Sequence, residues 1–165
     1  MNGDVQTVLS RMVGLMEEEI SAFKRLLDVL LEQRRTLVEG DEDGFLRSTQ
    51  KEARILEKTK DLERKQKDVV RDLSELMDTP AEDLTLPKII SAVEEEYAQR
   101  LSELRGTLSG LLKKVRRTNE TNRFLIEHAL RFVDHNLQIL IGLRRQHGYG
   151  KDGKKGGPLL VDIEA

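Results

Sequence analysis

Cysteine and tryptophan are absent from the 165 residues, and aromatic residues make up only 4% of them. Without cysteine there is no disulfide, no thiolate nucleophile and no Cys-based zinc site, and redox chemistry does not indicate the compartment. With so few aromatics, the core must be aliphatic. Nor does one sign of charge dominate: 28 Lys and Arg stand against 30 Asp and Glu, a net charge of -2. That balance gives no electrostatic reason to expect nucleic acid or an anionic membrane, so the expected partners are proteins. No segment reaches the ~18 consecutive apolar residues of a membrane span, and MNGDVQTVLS lacks a basic stretch followed by an apolar one. A cytoplasmic protein without membrane insertion is expected.

What is present is charge and aliphatic residues in nearly equal measure, 35% and 38%, the composition of long helices. Val5, Leu9, Met12, Met16, Ile20, Phe23, Leu27, Leu30 and Leu37 recur in steps of three and four, predicting an amphipathic helix over about 5–38. Gly40 suits the position just past its end, and Asp41 or Asp43 can cap a second helix over about 42–77. The middle of that second segment, around 59–66, is weakly apolar. Thr79, Pro80 and Glu82 read as N-cap, first helical residue and capping-box acid of a short turn, and Thr85-Leu86-Pro87 repeats the start signal. A third, longest helix is predicted over about 87–145. Along it Leu101, Leu104, Leu108, Leu111, Val115, Thr118, Asn122, Leu125, Ala129, Phe132 and Asn136 form a heptad seam. Gly106 and Gly110 mark either a bend or break in this helix or, with Ser102, a small-residue face for close helix approach. The expected fold is all-α: an elongated antiparallel helical bundle or coiled coil of three long helices filling 1–146, followed by a flexible Gly- and Lys-rich tail over 147–165 with an apolar tip.

Motifs that would carry chemistry are weak. Gly148 to Lys154 fits the glycine and lysine spacing of a phosphate loop, but Lys155 replaces the magnesium-binding Ser or Thr and no strand precedes it. His128 and His135 share a helix face beside Glu127 and Asp134, yet nothing singles out a third metal ligand. Carboxylates are interspersed with basic residues, as in i,i+4 pairing, so no enzyme, metal or cofactor is expected. Lys113, Lys114, Arg116 and Arg117 form a basic cluster that reads as a solvated helix face.

The end of the third helix carries more apolar residues than one seam uses: Phe124, Ile126, Leu130, Val133, Leu137 and Ile141 lie off it. Such a surplus suits a partner's amphipathic helix, or a homodimer core. Within the seam, Asn122 predicts an amide facing another helix, with Asn119 beside it. A buried amide costs ~1–3 kcal/mol unless it finds partners.

These residues give the chain a family likeness. Asn119-Glu120-Thr121-Asn122, the run Phe124-Leu125-Ile126 through Leu137 and Ile139-Leu140, and Tyr149-Gly150 in a loose tail resemble the FlgN family of flagellar type III export chaperones. The resemblance implies a chaperone that binds the hook-associated proteins joining hook to filament, prevents their premature assembly and delivers them to the export gate. It places client binding at Asn119, Asn122, Phe124, Ile126, Leu130, Val133, Leu137, Leu140 and Ile141, with Tyr149, Leu159, Leu160 and Val161 available to the tail's contacts, including the gate. The competing reading is a structural coiled-coil scaffold or homodimerising adaptor with no export role.

Overall fold

The computed structural model describes residues 2–147, with side chains over 3–142. Among them are four α-helices and one 3-10 turn: α1 Asn2–Glu39, α2 Glu42–Leu76, the turn Ala81–Asp83, α3 Leu86–Ala92 and α4 Glu95–His147. The chain divides into two compact units, Met1–Ile126 and Glu127–Ala165. The expected boundary between bundle and tail, at 146/147, falls at the edge of the described residues.

In the first unit, α1 turns into α2 through two residues. Gly40 takes the left-handed conformation, φ 71°, which a Cβ disfavours. The Asp41 amide donates back to the Thr36 carbonyl at 2.9 Å and closes the end of α1. The Asp41 side chain then accepts from the Gly44 amide at 2.9 Å, capping α2 as the sequence suggests. Gly44 has to be small here, because a Cβ would stand 2.1 Å from Asp41 Oδ2 and 2.8 Å from Thr36 Cγ2. Gly44→Ala is therefore expected to displace the cap and lose about 1–2 kcal/mol of stability in denaturant melts. A stability equal to the parent's would show that the cap adds nothing.

Helix α2 ends by the same device with an unusual residue. Asp78 holds φ 50°, and the Thr79 amide donates to the Ser74 carbonyl at 3.1 Å. Asp tolerates this conformation better than most residues with a Cβ. Thr79 was expected to cap the following turn; instead its hydroxyl donates to the Met77 carbonyl, and Pro80 occupies the cap position. Thr85 precedes α3 without a side-chain cap bond, and Pro87 stands in its first turn.

The third predicted helix is two helices. The chain is extended at Val93 (φ -105°, ψ 167°), and α4 begins on Glu95 and Glu96, whose charges favour a helix N-terminus. Gly106 and Gly110, the expected place of a bend, lie inside the uninterrupted α4.

Cross-helix pairs set the directions. Arg11–Asp72 and Lys51–Glu32 ion pairs make α1 and α2 antiparallel. Gln6 with Glu94, Ser10 with Tyr97 and Asn122 with Leu30 make α4 run in the same sense as α1. The core at the α3 end is aliphatic: Leu9, Met12 and Met16 from α1, Val69 and Leu73 from α2, Ile89 from α3, and Leu101 and Leu104 from α4. The weakly apolar middle of α2 still contributes one fully buried residue, Leu62. Around it the surface is ionic, with Lys65 hydrogen-bonded to Asp61 and Lys67 to Glu63, which holds both carboxyls below the usual carboxylate range. The modest stabilisation from such depressed carboxyls is present above that range and is lost as pH falls through it.

Candidate functional site

The buried polar side chains of the first unit gather at its other end. Gln33, Thr36, Ser48, Thr118 and Asn122 are all buried. Thr36 and Ser48 donate to carbonyls three residues back in their own chain segments, Gln33 and Phe45. Asn122 is only 1% exposed. Its Nδ2 donates to the Leu30 carbonyl at 2.7 Å and to Gln33 Oε1 at 3.2 Å, and Gln33 Nε2 donates in turn to Glu52 Oε2 at 2.6 Å. One amide relay thus ties α4 to α1 and α1 to α2. Among the described residues Asn122 Oδ1 has no hydrogen-bond partner, and a buried acceptor left so is costly. Asn122, expected to bond either across the bundle or to a client, bonds across the bundle and ties two helices together. Asn119, three residues before it, faces outward.

The heptad seam keeps its burial as far as this point. Leu101, Leu104, Thr118 and Asn122 are buried, and Leu108, Leu111, Val115 and Leu125 are half-buried. Of the neighbouring expected client residues, Phe124 is exposed and Ile126 half-buried.

In the second unit the helix is apolar and open. Leu130, Val133, Leu137, Leu140 and Ile141 are each more than half exposed, and so is Phe132, with Ile139 close behind. At 100° per residue, Leu130, Val133, Leu137, Leu140 and Ile141 fall on one face about 100° wide, and Ala129, Phe132, Asn136 and Ile139 on the face beside it. Together they make an arc of about 200° that is apolar but for Asn136, twice the stripe a surface helix usually buries. The remaining arc carries Glu127, His128, Arg131, Asp134, His135 and Gln138. Among the described residues, no group of three or more His, Asp or Glu side chains is placed to hold a metal ion. Tyr149, Leu159, Leu160, Val161 and the glycine-lysine segment 148–154 lie outside the described residues.

Sequence reasoning missed one feature of this region, the Gln33–Glu52 half of the relay. Both residues look like ordinary surface polars, and only the three- and four-residue spacing of Gln33 from Leu30 and Leu37 places it on the inner face.

No described helix is long and apolar enough to cross a membrane. No curated protein and no solved structure matches the chain. The model of the FlgN protein family matches residues 1–157, nearly the whole length and both units. On that match, the chain belongs to the FlgN family, a family of flagellar export chaperones.

Proposed function

We propose that this protein binds hook-associated proteins, the subunits of the hook-filament junction, through the apolar arc of α4 between Leu130 and Ile141. It keeps their assembly-prone ends from associating and hands them to the flagellar export gate. The observation that carries this reading is the arc itself: five aliphatic side chains on one face, each more than half exposed. An arc about 200° wide is wider than a single partner helix covers, so it suits a client that encloses α4 from two sides, as a helical hairpin does. Amphipathic chain ends that later form a junction core supply such helices. Asn122 contributes indirectly by fixing the register of α4 at the point where its burial stops.

Co-purification of the full chain with C-terminal segments of hook-associated proteins tests the function. A stoichiometric complex is expected; failure of every junction protein to bind would overturn the proposal. The same surface could make a coiled-coil dimer. Light scattering separates the two: a dimer that persists unchanged when client is added favours the scaffold reading.

A further inference from the structure

A second surface, on the first unit, has a different character. Between Glu103 and Glu120 the sequence of α4 holds five cations, Arg105, Lys113, Lys114, Arg116 and Arg117, and no acid. Elsewhere in this unit long basic side chains find carboxylates: Arg11 with Asp72, Lys51 with Glu32, Lys65 with Asp61, Arg100 with Glu17 and Glu103. None of the five ion-pairs with a described residue. In a chain of net charge -2, this is a local excess that the fold itself does not neutralise.

Three of these cations rim one groove. Leu86 at the start of α3, and Leu108, Ser109 and Leu112 of α4, line an open depression of about 340 Å³ bordered by Arg105, Lys113 and Arg116. Leu112 is 41% exposed. Beside it Gly106 and Gly110 lower the surface of α4; a Cβ at either would meet nothing within 4 Å. These glycines, each costing ~1 kcal/mol in a helix, thus serve no close packing among the described residues.

We infer that this groove is a docking site for an acidic amphipathic helix of a partner protein, distinct from the client surface between Leu130 and Ile141. The partner's aliphatic side chains would enter the concavity over Leu86, Leu108 and Leu112, and its carboxylates would meet Arg105, Lys113 and Arg116. Charge and shape together select this occupant. A flat anionic membrane would meet the cations and leave the apolar concavity unfilled. Phosphates of nucleic acid have nothing to place on a leucine floor, and no aromatic side chain in this stretch of α4 offers a base a stacking surface. A helix with leucines on one face and glutamates along both margins satisfies floor and rim at once.

The test uses the full-length protein and a designed helical peptide with a leucine stripe flanked by glutamates, together with the same peptide carrying lysines in their place. Fluorescence anisotropy should show the acidic peptide binding at least tenfold more tightly than the basic one. Its affinity should fall about tenfold as salt rises from roughly 50 mM to roughly 500 mM. Arg105→Glu with Lys113→Glu and Arg116→Glu should reverse the preference between the peptides, whereas Leu130→Glu should leave it intact. Leu112→Asp should weaken binding of both peptides. Equal binding of the two peptides, loss of binding only on Leu130→Glu, or no binding of the acidic peptide would each overturn the inference. Capture by anionic phospholipid vesicles that outcompetes the acidic peptide would do the same, in favour of a membrane.

Discussion

Leu130→Glu combined with Leu137→Glu is expected to weaken client binding more than 100-fold while leaving the melting curve unchanged. Both side chains are more than half exposed in the free protein, and substitutions at such positions usually change stability by no more than about 0.5 kcal/mol. In a complex they would sit at the centre of the apolar arc. Each replacement removes ~1.5 kcal/mol or more of apolar burial and adds the cost of a carboxylate held against apolar surface. Two such losses exceed the ~2.7 kcal/mol that corresponds to 100-fold. Isothermal titration with a hook-associated C-terminal segment gives the comparison directly. If the double variant binds within threefold of the parent, the client does not use this face. Replacing His128 and Arg131 by Ala, on the opposite arc, serves as the control and should leave binding nearly unchanged.

Asn122→Asp is expected to destabilise the first unit by about 3–5 kcal/mol at neutral pH, the usual penalty for an uncompensated buried charge. In place of an Nδ2 that donates to the Leu30 carbonyl at 2.7 Å and to Gln33 Oε1 at 3.2 Å, the variant presents a carboxylate to two acceptors. Burial raises the pKa of the introduced carboxyl above its unfolded value of ~3.9. The folded state then holds that proton more tightly than the unfolded chain does. The penalty is therefore small at and below the unfolded value and grows as pH rises from there through the folded one. Denaturant melts across that range should show the gap to the parent narrowing toward acid. Asn122→Leu removes the same donors without adding charge. Its loss should be on the order of 1 kcal/mol and independent of pH. A pH-independent penalty for Asn122→Asp would mean that the relay through Gln33 to Glu52 does not form.

Much of this arrangement is legible in the residues. Spacings of three and four fix α1 and α2 to within a few residues, Gly40 marks the turn between them, and the seam from Leu101 to Leu125 points inward as its heptads require. Asn122 is readable as an inward amide because it stands on that seam. Its partners are not, since Leu30 and Gln33 are some ninety residues away in sequence. The break at Val93 is hidden because a short helix over Leu86–Ala92 continues the apolar rhythm into α4. The run Glu94-Glu95-Glu96 is its only local sign, through the preference of acids for a helix start. Gly106 and Gly110 mislead in the other direction. Their propensity penalty, about 1 kcal/mol each, is outweighed by the packing of Leu101, Leu104, Leu108 and Leu111 on the opposite face. The apolar arc is legible as a surplus, because Leu130, Val133, Leu137 and Ile141 lie off the seam, but pattern alone does not say whether another helix of the chain covers it.

The polar lining around Asn122 also governs how this molecule behaves when it breathes. Thermal opening of a bundle starts where least apolar area is lost. By that measure the weaker end is the one where Gln33, Thr36, Ser48, Thr118 and Asn122 are buried beside Val29 and Leu30. Were those five aliphatic, each opening would show a sticky patch to neighbouring molecules in a crowded cell. As built, a frayed end offers amides and hydroxyls that water can satisfy at once.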